Sequence, residues 1–200
     1  ASDVVISVTS SDTGEVTVSP AAPLTFTSTN WNIAQTVTLT GANDDLVDGS
    51  QTSTVTLSVV DGSSDDDFDG VADQTVSVTT TDSDVAGFTV IESGGTTTVA
   101  EDGSTTDDFT VVLDAQPTSD VVLSIVSADT GEVTVSPATL TFTSGNWDSS
   151  QTVTVTGVDD SLIDGSQTTV VTIAVVDASS NDSFDSLLDQ TVSVSTADDD

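Results

Sequence analysis

A long internal repeat constrains the fold of this chain more than any other feature. The segment DTGEVTVSP at Asp12 to Pro20 recurs unchanged at Asp129 to Pro137, 117 residues later. Trp31 recurs at Trp147, so one repeat is about 116 residues long, which is the size of a single β-sandwich domain. We therefore predict two copies of one domain.

Each repeat consists of short segments in which polar and apolar residues alternate. Residues 151–173 read QTVTVTGVDDSLIDGSQTTVVTI, and their twin at 35–57 has the same two alternating runs around an acidic turn. This period of two is typical of half-buried strands, and no segment shows a helical period. Seven or more short strands spaced 8 to 12 residues apart predict an all-β fold made of tandem immunoglobulin-like antiparallel β-sandwiches.

The two repeats differ in extent. Residues 85–200 form a complete unit, whereas residues 1–84 have no match to the leading segment Phe88 to Leu113. We predict a first domain at 1–84 that lacks its first strands and a second domain at 85–200. We expect either that the sequence is an excerpt of a longer tandem array or that a neighbouring chain supplies the missing strands.

Composition removes most catalytic chemistry and several classes of partner. The 200 residues include 34 acids and no Lys, Arg, His, Cys, Met or Tyr, which gives a net charge of −34. Nucleic acids and anionic membranes are therefore excluded as electrostatic partners, and no apolar stretch is long enough for membrane insertion. Paired carboxylates also serve glycosidases, but here the acids recur in every unit, which disfavours that interpretation. We predict that the chain is not an enzyme.

The acids are concentrated in turns and are mostly aspartates. Of the 34 acids, 30 are Asp, the shorter side chain that suits turns and calcium loops. Two carboxylates about 4 Å apart repel by about 4 kcal/mol at an effective dielectric constant near 20. Such turns need either open water, as on a salt-adapted surface, or a hard cation such as Ca²⁺, and we favour Ca²⁺.

The order of motifs in the complete unit resembles the Calx-beta domain, a calcium-binding immunoglobulin-like module found in sodium/calcium exchangers, integrin β4 and many large bacterial surface proteins. The resemblance covers residues 85–200 and most of residues 2–84. It is carried by five segments, which are Val99 to Gly103, Leu140 to Phe142, Thr154 to Asp160, Asp164 with Gly165, and Asp198 to Asp200.

The resemblance implies calcium ions at one end of each sandwich. The implied ligands in the second unit are Glu101, Asp129, Asp159, Asp160, the carbonyl of Leu162, Asp164, Asp198, Asp199 and Asp200. Those in the first unit are Asp12, Asp44, Asp45, Leu46, Asp48, Asp82 and Asp84. Gln51 and Gln167 stand where the family often has a further acid, which implies fewer ions or a lower affinity.

We expect a structural role for such repeats. Calcium at the domain ends would stiffen a stalk, filament or adhesin that is extracellular or on a cell surface. The expected partners are neighbouring repeats of the same chain and other copies in a filament or surface layer. The alternatives are a calcium-dependent adhesive or glycan-binding module, or a calcium sensor.

Three further motifs have competing interpretations. Residues 65–70 read DDDFDG, which resembles half of an EF-hand loop and also suits a solvated hairpin loop. Trp31 and Trp147 suit plugs at the edge of the core better than platforms for sugar stacking. Asn181 begins a lone glycosylation sequon.

Overall fold

A computed structural model describes residues 2–200, and it confirms the all-β fold. The strands of the first repeat are β1 (Val4–Ser10), β2 (Val16–Ser19), β3 (Leu24–Phe26), β4 (Thr38–Gly41), β5 (Gln51–Val59) and β6 (Gln74–Thr80). Those of the second are β7 (Phe88–Glu92), β8 (Thr97–Ala100), β9 (Thr106–Leu113), β10 (Val121–Ser127), β11 (Val133–Ser136), β12 (Thr139–Phe142), β13 (Gln151–Gly157), β14 (Gln167–Val175) and β15 (Gln190–Ala197). The helices are single 3-10 turns at Asp61–Ser63, Asp66–Phe68, Ser93–Gly95 and Asp177–Ser179. In the part of the chain described, none is long and apolar enough to cross a membrane.

The chain divides into two compact units. Unit 1 comprises Ala1–Asp44 and Gly49–Ser83, of which Ala1 lies outside the described residues. Unit 2 comprises Asp45–Asp48 and Asp84–Asp200. Asp45–Asp48 belongs to unit 2 because its backbone pairs there with Gln116, whose N–H donates to the Asp45 carbonyl at 2.7 Å.

Unit 2 is a sandwich of two sheets around one apolar core. One sheet has the order β12-β10-β14-β15-β8 and the other β11-β13-β9-β7. Along β10, the buried residues Val121, Leu123 and Ile125 alternate with more accessible neighbours, as the period-two pattern predicts. Phe109 and Phe142, one from each sheet, are fully buried. The two layers therefore bury a continuous core.

The leading segment of unit 2 belongs to both sheets. β7 pairs antiparallel with β9, and β8 then pairs parallel with β15 in the other sheet. The chain changes sheets through Ser93–Gly95, where Gly94 and Gly95 adopt positive φ angles of 66° and 81°. Among the strands of unit 2 the pairing is antiparallel except for β8 with β15, and the isolated bridge between Leu46 and Gln116 is also parallel. This exchange places the end of β8 beside the end of β15.

Unit 1 repeats this topology with fewer strands. Its sheets have the orders β3-β1-β5-β6 and β2-β4, and the pairings of these strands match those of β10 to β15 in unit 2. Within residues 2–83 there are no counterparts of β7, β8 and β9. Only three large apolar side chains of unit 1, Val16, Leu24 and Val55, are buried among these residues.

The three minor motifs have definite positions. Trp147 packs against the core of unit 2 as predicted, but Trp31 is 71% exposed, so the prediction of a core plug is wrong there. Asp65 accepts the N–H groups of Ser2 and Asp67, which caps the 3-10 turn at Asp66–Phe68. The sequon residue Asn181 is only 6% exposed and donates to Ser119 at 3.1 Å. Its side chain is structural.

Candidate metal centre

Five chain segments meet at one end of the unit 2 sandwich. The pairing registers place Gly157 of β13 opposite Val133 of β11, and Ala100 of β8 beside Ala197 of β15. β14 begins at this same end because Gln167 pairs with Thr196. Each of these strand ends is followed or preceded by an acid. The fold therefore gathers acids from positions almost 100 residues apart.

Gly157 allows the closest approach at this end. A Cβ atom added to Gly157 would lie only 2.1 Å from the carbonyl oxygen of Ala100 and 3.2 Å from the Cα of Glu101. No other residue fits at position 157 without moving β8, because these neighbours are backbone atoms. Glycine here brings Glu101 up to the acidic turn that follows β13.

Glu101 is buried against this turn. It is 3% exposed, and one of its carboxylate oxygens accepts the backbone N–H of Asp160 at 3.1 Å. This hydrogen bond lowers the pKa of Glu101, but burial and the charges of Asp160, Asp198 and Glu132 together outweigh it and raise the pKa above the ordinary value. The resemblance implies that Glu101 is a ligand, and the structure places its side chain against the acidic turn that follows β13.

Glu132 also lies in this cluster, although the predicted ligand set did not include it. Burial comes first among the causes that raise its pKa, followed by the charges of Asp164, Asp129, Asp160 and Asp198. Its Oε2 atom is buried and has no hydrogen-bond partner. The sequence carried a signal, since Glu132 and its twin Glu15 both stand in the unchanged DTGEVTVSP segment.

Asp198 connects the acidic turn to the end of β15 through a hydrogen bond. Its Oδ2 accepts the N–H of Gly165 at 2.6 Å, and its Oδ1 accepts the N–H of Asp200 at 3.0 Å. These backbone hydrogen bonds lower the pKa of Asp198. Gly165 adopts a φ of 75°, a conformation that favours glycine. In unit 1, Gly49 has a φ of 72° and donates to Asp82 at 2.8 Å in the same way.

Three further predicted ligands of unit 2 accept hydrogen bonds within local turns. Asp129 accepts the N–H of Gly131 at 2.9 Å, and Asp160 accepts the N–H of Leu162 at 2.6 Å. The carbonyl of Leu162, predicted as a ligand, accepts the N–H of Asp164 at 3.0 Å.

Asp199 is crowded by like charges. Burial and then the charges of Asp102, Asp159, Asp200 and Asp198 raise its pKa. The predicted ligands Asp159 and Asp200 therefore lie near Asp199. Asp102, which was not in the predicted set, also lies near it.

The predicted ligands of the first repeat fall in both units. Asp12 accepts the N–H of Gly14 at 2.9 Å in unit 1, where Asp44 and Asp82 also lie. Asp45, Leu46, Asp48 and Asp84 belong to unit 2. The acidic turn of the first repeat is thus divided between the two units, whereas the acidic turn of the second repeat lies entirely within unit 2.

Among the residues described, no three acids are already arranged to hold a metal ion. Asp129, Asp160 and Asp198 turn oxygens toward backbone N–H groups instead. The donor set nevertheless fits a hard cation, because it contains only oxygen atoms and includes the unpartnered buried oxygen of Glu132. The cluster is therefore a collection of carboxylates that repel one another and in which one buried acceptor has no donor.

No protein-family model and no curated protein matches the chain. Solved structures that resemble it include domains 4 and 5 of the S-layer protein SbsC, at 19% identity and a TM-score of 0.43, covering 96% of this chain and 70% of that one. A structure of SbsC domains 1–6 matches at 18% identity and a TM-score of 0.43, covering 98% of this chain and 20% of that one. The apo form of the Calx CBD1 domain matches at 15% identity and a TM-score of 0.36, covering 56% of this chain and 98% of that one. Similarity at this level assigns neither a family nor a function.

Proposed function

We propose that unit 2 is a calcium-binding structural module whose ion site lies at the Glu101 end of the sandwich. The observation that carries this proposal is the buried Oε2 of Glu132, which has no donor and is surrounded by the charges of Asp129, Asp160, Asp164 and Asp198. A buried carboxylate oxygen without a partner destabilises the fold unless a proton or a cation compensates it.

Calcium suits this environment better than other ions. It accepts six to eight oxygen ligands in flexible geometry, whereas Mg²⁺ requires a near-ideal octahedron and keeps several waters. The residues that would hold it are Glu101, Glu132 and the acids of the turn after β13. Its charge would replace carboxylate repulsion by attraction, so the ion would stabilise the end of the fold and would do no chemistry.

We further propose that the chain is part of an extracellular or cell-surface structural protein built from tandem repeats. The internal repeat supports an architecture of tandem domains, of which unit 2 contains both Glu101 and Glu132. Extracellular modules bind Ca²⁺ with dissociation constants of about 0.1 to 1 mM, which suits a site with hydrogen-bonded, incompletely converged ligands. Neighbouring repeats and other copies of the chain are the proposed partners, and no catalytic role is proposed.

Calorimetric titration with calcium tests the site. We expect saturable binding to the 200-residue chain and an affinity reduced at least about tenfold in Glu132→Gln, because one charged oxygen ligand is lost. Asp148→Asn is the matched control, since Asp148 is an exposed acid just before β13, at the opposite end of that strand. Absence of binding at about 10 mM calcium, well above the usual range, would exclude the proposal.

A further inference from the structure

Unit 1 has an open apolar groove on the inner face of its larger sheet. The groove has a volume of about 700 Å³, and its apolar walls come from Val4 and Ile6 on β1, Phe26 on β3, Val59 on β5, and Trp31, Phe68 and Val71 beyond the strands. Trp31 is 71% exposed and Phe68 is 45% exposed. Large apolar side chains gathered in one concave surface usually mark a binding site.

The same positions are core in unit 2. Val4, Ile6 and Phe26 correspond in the repeat to Val121, Leu123 and Phe142, which are fully buried. Phe68 corresponds to Phe184, which is also fully buried. The difference has one structural source. In unit 2, the strands β7 and β9 contribute Phe88, Phe109, Val111 and Leu113 to the same core cluster. Unit 1 has no such strands in residues 2–83.

The smaller sheet of unit 1 differs from its twin at the position where β9 would pair. In unit 2, β13 begins at Gln151, and Val153 lies opposite Phe109 of β9. In unit 1, β4 begins only at Thr38, and Gln35–Val37 lie outside any strand. Val153 is fully buried, whereas its twin Val37 is partly exposed. The smaller sheet of unit 1 thus has a strand that is three residues shorter than its twin, at the position where β9 pairs in unit 2.

We propose that the groove of unit 1 is an acceptor for a two-stranded segment with the chemistry of Phe88 to Leu113. The incoming segment must be extended and must present apolar side chains at alternate positions, as Phe109, Val111 and Leu113 do. Its second strand adds antiparallel to β4, so that the counterpart of Phe109 lies opposite Val37, and Gln35–Val37 become strand. Strand addition of this kind obtains affinity from backbone hydrogen bonds and specificity from alternate side-chain pockets.

Unit 2 is the reason for choosing this occupant. It shows the same groove filled by such a segment, with the register of β13 against β9 already defined. The inference does not depend on calcium, because the groove is apolar and lies outside the proposed ion site. Failure of either idea would leave the other unaffected.

Tryptophan fluorescence tests the proposal directly. A synthetic peptide of residues 85–116 is added to the 200-residue chain carrying Trp147→Phe, so that Trp31 is the only tryptophan. The buffer contains about 0.5 M salt, which screens the acidic peptide from the acidic chain beyond about 4 Å. We expect a saturable blue shift of Trp31 emission. A peptide with Phe109→Asp and Val111→Asp should produce at least about a tenfold weaker effect, because charged groups cannot enter the groove.

Two measurements on other chains complete the test. Backbone hydrogen exchange on the unaltered chain should slow at residues 35–39 when the peptide binds, and it requires no substitution. A chain with Trp31→Phe should show unchanged Trp147 emission, since unit 2 already contains these strands. No shift of Trp31, an equal shift with the aspartate peptide, or a shift of Trp147 alone would overturn the proposal. Sedimentation of the chain alone separates one more outcome. A dimer that shields Trp31 and excludes the peptide, but leaves hydrogen exchange at residues 35–39 fast, would assign the groove to a different surface of a second copy and would also overturn the proposal.

Discussion

The buried carboxylate of Glu101 accepts the backbone N–H of Asp160 at 3.1 Å, although the two residues are 59 positions apart. This contact joins the end of β8 to the acidic turn after β13. It exists because β8 leaves the sheet of β7 and pairs with β15. In unit 1, residues 2–83 contain no counterpart of β8, so their acidic cluster has no counterpart of Glu101.

Gly157→Ala should destabilise unit 2. The added Cβ would meet the backbone of Ala100 at 2.1 Å, and overpacking of this kind costs about 1 to 3 kcal/mol. The repeat offers a matched control, because the twin Gly41 would place its Cβ 3.2 Å from a side-chain methyl group of Thr80. Gly41→Ala should change the free energy of unfolding by at most about 1 kcal/mol. Urea unfolding measures both, and equal losses would contradict the close approach of β8 and β13.

The stability of the calcium-free protein should fall as the pH rises above about 4.5. Glu101 and Glu132 have pKa values raised above their ordinary value of 4.5, so the folded state retains protons that the unfolded chain has lost. The resulting stabilisation decreases as the pH rises through the folded-state pKa values. Urea midpoints in chelator from pH 4.5 to 7 should show this decrease. In the double variant Glu101→Gln with Glu132→Gln, the urea midpoint should depend less on pH over this range. An unchanged pH dependence would contradict the claim that Glu101 and Glu132 have raised pKa values in the folded state.

Below about pH 3.8, the stability should change with pH in the opposite direction. Backbone hydrogen bonds lower the pKa of Asp198 below its ordinary value of 3.8, so the stability that it provides is lost as the pH falls from 3.8 through the folded-state pKa. Asp198→Asn should therefore weaken the loss of stability below pH 3.8. The readout is the urea midpoint between pH 2 and pH 4. Asp148→Asn serves again as the control. If Asp198→Asn lost stability below pH 3.8 to the same extent as the unaltered chain, the stabilising role of the hydrogen bonds to Asp198 would be contradicted.

The two equivalent phenylalanines should differ widely in their contribution to stability. Phe184 is fully buried in unit 2, so Phe184→Ala should cost about 3 to 5 kcal/mol. Phe68 is 45% exposed in unit 1, so Phe68→Ala should cost under about 1.5 kcal/mol. Chemical unfolding of the two variants measures the difference. A large cost at Phe68 in the isolated chain would mean that its groove is already filled.

Much of the fold was predictable from the sequence because the repeat and the period-two pattern are local signals. The alternation in QTVTVTG predicted β13, and its twin predicted β4. The parallel pairing of β8 with β15 was not predictable, since it depends on two glycines that carry the chain from one sheet to the other. The start of β4 at Thr38 was not predictable either, because residues 35–37 have the same sequence as the first three residues of β13.

The candidate site was predictable only in part. The resemblance implied Glu101 and Asp198 as ligands, and the structure places both beside the acidic turn that follows β13, where strand ends meet. Glu132 was missed because its role depends on the pairing of β11 with β13, which places Val133 opposite Gly157. The grouping of Asp45–Asp48 with unit 2 was missed for a similar reason, since backbone pairing with Gln116 is not visible in the acidic turn itself.

Thermal unfolding with and without calcium tests the central claim most directly. At free calcium 100 times the dissociation constant, one ion stabilises the fold by about 2.7 kcal/mol, which corresponds to a rise in Tm of about 10 °C for a domain of this size. We predict this rise for the unit 2 transition of the unaltered chain and of Asp148→Asn, and little or no rise for Glu101→Gln with Glu132→Gln. Equal Tm values in saturating calcium and in chelator would contradict the claim that a cation compensates the carboxylates around Glu101 and Glu132.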